Sequence, residues 1–189
     1  LKAHADQFGI DPERIGIIGG SAGGYLTAMA ATTSGTKTFD KGDNLQVGSD
    51  VKAAVDLYGL SDLTRIGDDY NDSVKKAHRS AGATEALWVN GSAVFGGHDG
   101  GILANPEGAQ KANPITYISQ TSAPLLLMHG TNDTVVSPSQ TDLLFQALQK
   151  HHVPSKRYLV EGAAHGGIYW NQKEVLDIIT TFFDSYLKK

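Results

Sequence analysis

Three residues have the types and the order needed to attack a carbonyl group: Ser21, Asp133 and His165. A serine hydroxyl is a weak nucleophile until a base removes its proton, and the imidazole that does so needs an acid to fix its tautomer and steady its positive charge. Ser21 lies in Gly19-Gly20-Ser21-Ala22-Gly23, a match to G-x-S-x-G. That string does chemistry only at a sharp strand-to-helix turn, where the hydroxyl stands clear of the sheet and the helix start favours negative charge beside it. Small residues at Gly19 and Gly23 would let the two elements cross closely. Asp133 follows the run Leu125 to Gly130, and His165 stands in a loop of small residues, Gly162 to Gly167. Functional groups collect past the carboxyl ends of parallel strands, which is where both would fall.

Competing uses of these residues fail on spacing. A phosphate-binding loop needs Lys and then Ser or Thr after Gly24, where the sequence has Tyr25-Leu26. A dinucleotide fingerprint needs glycine two residues after its first and again three later, and Ile18 after Gly16 and Ser21 after Gly19 break that pattern. Asp142, Glu161 and Asp99 are alternative acids, none preferred to Asp133: Asp142 falls on the outer face of a helix, Glu161 precedes His165 by only four residues, and Asp99 lies in a polar stretch. His151 and His152 end a helix, where positive charge is favoured, and His129 reads as a packed or hydrogen-bonded structural residue at a strand end. His4, His78 and His98 lack carboxylate partners at ligand spacing, so neither a metal site nor any other cofactor is expected.

The elements that must position this chemistry alternate between strand and helix. Leu1 to Phe8 reads as the end of a helix stopped by Gly9; Ile15 to Ile18, Val51 to Leu57, Pro124 to Met128 and Arg157 to Val160 read as strands. Helical spacing of apolar residues marks Ala22 to Thr33, Ser139 to Lys150 and Lys173 to Leu187. Residues 64–122 break the alternation: they are rich in Gly, Ala, Asn and Asp, with concentrated apolar patches only at Leu87-Trp88-Val89 and Val94-Phe95. A partly helical insertion or cap is expected there, because a structureless loop of that length is improbable inside a compact domain. The fold class is α/β, with a mostly parallel sheet flanked by helices.

Composition excludes several functions. At 189 residues one domain is expected, and 16 Lys plus Arg against 20 Asp plus Glu, a net charge of −4 without like-charge blocks, leaves no nucleic-acid footprint. The absence of cysteine removes disulfides, thiolate catalysis and Cys-based zinc sites, and no apolar run approaches the roughly 18 residues of a membrane span. The chain opens on Leu1 with no charged-then-apolar leader, so any targeting segment is expected to lie outside it.

Four blocks together resemble the α/β-hydrolase esterases: Asp11-Pro12-Glu13-Arg14-Ile15 leading into Gly19 to Gly24, Asn113-Pro114-Ile115 with Tyr117-Ile118, His129-Gly130-Thr131-Asn132-Asp133-Thr134-Val135-Val136, and Gly162-Ala163-Ala164-His165-Gly166. They are most similar to the lipase/esterase group that includes bacterial acetyl xylan and feruloyl esterases, near the hormone-sensitive lipase relatives. The resemblance covers essentially the whole of 1–189 as a single catalytic domain, the C-terminal portion of that fold. It implies Ser21 as nucleophile, Asp133 as acid, His165 as base and the N–H of Ala22 as one oxyanion donor. Val135 and Val136, just past the acid, are candidates for the substrate pocket wall. The expected activity is serine carboxylesterase action on small acyl esters, with acetyl or feruloyl esters of sugars as candidates. The same blocks resemble the catalytic domain of the prolyl oligopeptidase family, which keeps a peptidase as an alternative. A non-catalytic binding fragment of the hydrolase fold is the third reading.

Family members begin with further strands and an HGGG-type loop that supplies a second oxyanion donor, and every His-Gly pair here follows the Ser21 motif. The N-terminal strands of the fold, or a second chain, are therefore expected at the edge of Ile15 to Ile18, a run with no lysine, proline or charge to protect it.

Overall fold

In the computed structural model, which describes residues 1–92, 97 and 99–188, four parallel strands form one sheet in the order β1-β2-β3-β4. They are β1 (Gly16–Gly20), β2 (Ala53–Leu57), β3 (Leu125–Gly130) and β4 (Ser155–Val160). All six residues of β3 are buried, as a strand covered on both faces requires. Side chains alternate between the faces. Ala54, Leu125 and Leu127 face α2 (Ala22–Thr32) and α6 (Ser139–Lys150), which contribute Ala28, Ala31, Leu144 and Leu148. Ala53, Val55, Leu126 and Met128 face α7 (Lys173–Leu187), which contributes Val175, Ile179 and Phe182. The opening helical segment ends as expected, with α1 (Ala5–Phe8) closed by Gly9 at φ 63°.

One strand end differs from the sequence reading in a way that matters for the site. β1 runs on through Gly19 and Gly20 to the serine itself, because register with Asp56 and Leu57 holds glycines that have little strand preference of their own. β3 follows the run Leu125 to Gly130, with His129 and Gly130 paired with Leu159 and Val160, and His129 is completely buried.

Between β2 and β3 the chain forms α3 (Asp72–His78), α4 (Thr84–Asn90) and α5 (Pro106–Ala112). Asn71 caps α3 by accepting from the N–H groups of Ser73 and Val74, and Asn105 caps α5, with Pro106 in its first turn. The apolar residues of this segment have a core of their own, in which Leu60, Leu63, Ile66, Ala86, Ile102 and Ala109 enclose Val136. Val94, Phe95 and His98 lie outside the described residues. Ile18 on β1 stays 48% exposed, and among the described residues no helix is long and apolar enough to cross a membrane.

Candidate active site

Ser21 occupies the turn between β1 and α2 at φ 57° and ψ −120°, a backbone conformation that costs a non-glycine residue about 1–3 kcal/mol. A serine at a helix start ordinarily turns its oxygen back onto the first-turn N–H groups. Here it makes no such cap. Its Oγ lies 2.7 Å from Nε2 of His165 instead, and its own N–H is anchored on the carbonyl of Leu57 at 2.9 Å. The first-turn N–H groups of α2, beginning with Ala22, thus receive no cap from the serine and, like those of any helix start, have no intrahelical acceptor.

The turn is tight because backbone meets backbone. A Cβ on Gly19 would stand 2.3 Å from the carbonyl oxygen of Gly23, so β1 and α2 cross at that pair. The sequence reading gave Gly23 the same need for smallness, but a Cβ there meets nothing within 4 Å. The tight helical glycine is Gly24, whose Cβ would fall 2.3 Å from Oδ1 of Asp56 and 2.9 Å from the backbone at Leu57 and Gly59. Gly23→Ala is therefore expected to raise stability by about 0.5–1 kcal/mol through helix propensity. Gly24→Ala should lower it by about 1–3 kcal/mol through overpacking. Thermal melts of the two variants check this, and equal shifts would refute the contact argument.

The imidazole of His165 bridges the other two residues. Its Nδ1 lies 2.8 Å from Oδ2 of Asp133, so Nδ1 carries the proton and Nε2 is free to accept from the Ser21 hydroxyl. Asp133 is fully engaged. Oδ1 accepts from the N–H groups of Val135 (2.9 Å) and Val136 (3.0 Å), and Oδ2 also faces Nε2 of His129 at 3.2 Å. Burial pushes this carboxyl up, but the hydrogen bonds from His129, His165, Val135 and Val136 together outweigh it and hold the group well below the usual carboxylate range.

His129 is the structural residue the sequence suggested, with a role the sequence did not show. Its Nε2 faces two acceptors, Asp133 Oδ2 and the carbonyl of Val136 at 3.0 Å, and therefore carries the proton. It holds the acid from behind. Of the two valines expected to wall a pocket, Val135 is 51% exposed while Val136 is 5% exposed and packed among Leu60, Leu63 and Ile66. Only Val135 offers surface. Among the alternative acids, Asp142 pairs with Arg157 at 3.2 Å, and Glu161 and Asp99 are exposed.

Three further residues carry no signal in the sequence. Tyr58 packs edge-on against His165 with ring centroids 4.9 Å apart. Tyr70 donates its hydroxyl to the carbonyl of Asp133 at 3.0 Å and stacks on His78. His78, which has no carboxylate at ligand spacing along the chain, places its Nδ1 2.7 Å from Oε1 of the buried Glu85, which approaches from the next helix. Tyr70 thus links the segment between β2 and β3 to Asp133, with the His78–Glu85 pair behind it.

The third residue, Asp56, lies buried on β2 beneath the turn and accepts from the N–H of Gly59 at 2.8 Å. Burial pushes its carboxyl up to about 7, against the smaller opposing effect of that hydrogen bond. An acid raised on folding keeps its proton where the unfolded chain has lost it, so it destabilises the fold progressively as pH rises from about 4 to 7. Three units correspond to about 4 kcal/mol as an upper bound. Asp56→Asn, which keeps the acceptor for Gly59, should raise the melting temperature at pH 8 and leave it unchanged near pH 4. A variant melting lower than the parent at pH 8 would show that the charge is compensated.

The profile of the BD-FAE family matches residues 1–148. The chain belongs to the BD-FAE family. It is 33% identical over 140 residues to the probable carboxylic ester hydrolase LipM of Mycobacterium tuberculosis, covering 74% of this chain and 29% of that protein. Esterase LipC of the same organism is 29% identical over 168 residues, covering 87% of this chain and 38% of its own length. The chain thus spans less than two-fifths of either relative. A truncated form of a carbohydrate esterase from gut microbiota superposes with a TM-score of 0.77 at 26% identity, covering all of this chain and 65% of that one. With its parallel sheet flanked by helices, this member of the BD-FAE family has the α/β-hydrolase fold.

Proposed function

We propose that this chain carries the nucleophile, base and acid of a serine carboxylic ester hydrolase. The observation that supports the reading is the unbroken hydrogen-bond chain Ser21 Oγ, His165 Nε2, His165 Nδ1, Asp133 Oδ2, with spacings of 2.7 and 2.8 Å. Ser21 Oγ attacks the ester carbonyl carbon as Nε2 takes its proton. The oxyanion accepts from the N–H of Ala22, and His165 then passes the proton to the leaving alkoxide, freeing the alcohol and leaving an acyl-serine. Water, deprotonated by His165, attacks that acyl carbon, and as the bond to Ser21 Oγ breaks His165 returns the proton to Oγ and the carboxylic acid leaves. Asp133 holds Nδ1–H throughout and stabilises the imidazolium.

Small acyl esters are the proposed substrates, and acetylated or feruloylated sugars the favoured class, a choice supported by likeness to the carbohydrate esterase. Val135 is the proposed wall beside the acyl group. A further strand at the open edge of β1, from a segment outside these residues or from a second chain, would bring the second oxyanion donor; the exposure of Ile18 supports this. Amide exchange over 16–20 and light scattering test that edge. An active monomer with a freely exchanging edge would refute it.

Turnover of p-nitrophenyl acetate against an aminoacyl p-nitroanilide, followed by acid release from acetylated and feruloylated xylo-oligosaccharides, tests the function. Ester cleavage with little anilide cleavage is expected. Preferential anilide cleavage would make the protein a peptidase, and failure on both sugar esters would remove the substrate class.

A further inference from the structure

The loop that carries His165 is poorly suited to hold a ring by itself. Gly162, Gly166 and Gly167 all adopt positive φ, at 75°, 88° and 93°, and backbone of that kind supplies no side chains to pack against the imidazole. The two polar contacts of the ring lie at its nitrogens, which fixes the ends of the hydrogen-bond chain and leaves the ring to be supported from the side.

Tyr58 supplies that side. Its ring meets His165 at 64° with centroids 4.9 Å apart, and Trp170 backs it at 4.5 Å. The indole N–H of Trp170 donates to the carbonyl of Ala164 at 3.1 Å, clamping the residue just before His165. At the other end the phenol rests on the serine turn: a Cβ on Gly20 would stand 2.7 Å from the Tyr58 hydroxyl oxygen. The backbone of Tyr58 is held just as closely. Its N–H donates to the carbonyl of Met128 at 2.7 Å, the preceding carbonyl of Leu57 accepts from Ser21, and the following N–H of Gly59 is taken by the buried Asp56. Tyr58 adopts φ 44°, a conformation that a bulky residue rarely takes. Glycine would take it freely.

We propose that Tyr58 is a positioning residue, wedged between the residue before the nucleophile and the ring of the base, and that it keeps Nε2 of His165 aligned on Ser21. The proposal rests on the reading of His165 as the base. Small misplacement of a reacting group costs about 10²-fold in rate, so an unsupported imidazole lowers turnover without altering substrate affinity.

The test uses the whole protein with Tyr58→Phe, Tyr58→Gly and Tyr58→Asn, and Ser21→Ala as reference, measuring kcat, KM and melting temperature on p-nitrophenyl acetate. Glycine and asparagine both tolerate the backbone conformation, so at least one of these two variants is expected to fold, and whichever folds decides. Loss of the ring should lower kcat at least about tenfold with KM within about twofold, while Tyr58→Phe, which keeps the ring, stays within about threefold of the parent. A ring that merely fills space would lower the melting temperature and leave the kcat of the folded protein unchanged. That result, or failure of Tyr58→Phe to rescue, would overturn the proposal. Full turnover by Ser21→Ala would instead overturn the underlying triad, so the two failures are distinguishable.

Discussion

Ser21→Ala is expected to lower ester turnover by at least about 10³-fold while leaving the melting temperature within a few degrees of the parent. The hydroxyl makes one partly buried hydrogen bond, to His165, and a bond of that kind contributes about 0.5–1.5 kcal/mol to stability. The anchors of the turn do not involve it. The N–H of Ser21 still reaches Leu57, and an alanine has the same Cβ and meets the same strain at φ 57°. What disappears is the atom that would form the acyl bond. The residual rate would come from the N–H groups of α2 and from substrate binding alone. Initial rates on p-nitrophenyl acetate decide the matter, and comparable turnover in the variant would remove Ser21 from the mechanism.

Asp133→Asn should cost about 10⁴-fold through the tautomer it enforces. Val135 and Val136 both donate to Oδ1, so the asparagine oxygen stays there and its NH₂ group replaces Oδ2. That group would donate to Nδ1 of His165, forcing the ring proton onto Nε2, where it faces Ser21 as a donor. It would also meet the Nε2–H of His129, a donor opposed to a donor, which adds about 1–3 kcal/mol of destabilisation. The pH dependence has the opposite sign to that of Asp56. A carboxyl depressed on folding contributes stability that is complete above its unfolded value, about 4, and is lost as pH falls through the lower folded value. Asp133→Asn should therefore flatten the acid side of the stability curve. In the parent protein Asp133 stays charged at pH values well below the usual carboxylate range, so activity that falls with pH above that range is expected of a base that must be neutral to accept the serine proton. A rate constant from pH 5 to 8 would rule out a histidine base.

What the sequence made legible was whatever depends on neighbours along the chain. The G-x-S-x-G string between an apolar run and a helical period located the turn, and the order Ser21, Asp133, His165 matches the residues that lie within hydrogen-bond reach of one another. The helices at 139–150 and 173–187 follow from spacing alone, because each has one apolar stripe against the sheet. Contacts between distant elements left no such trace. Tyr58 simply follows the strand run that ends at Leu57, and nothing nearby indicates that its ring meets a histidine more than 100 positions on. Asp56 reads as a polar residue in a strand, although it is buried beneath the turn. The glycine roles show the same limit: the motif contains Gly23, but the close approach is made by Gly24, because the packing is set by β2 and the turn after it. Glu85 and His78 pair across separate helices, at a spacing that matches no local rule.

All of the proposed chemistry begins with His165 activating Ser21. A fluorophosphonate reagent, which modifies only an activated serine, measures this directly when the labelled protein is digested and the adduct mapped by mass. One adduct is expected, on the peptide containing Ser21, with labelling slowed at least about 10²-fold in His165→Ala. An adduct on a different serine, or equal labelling rates with and without the imidazole, would contradict it.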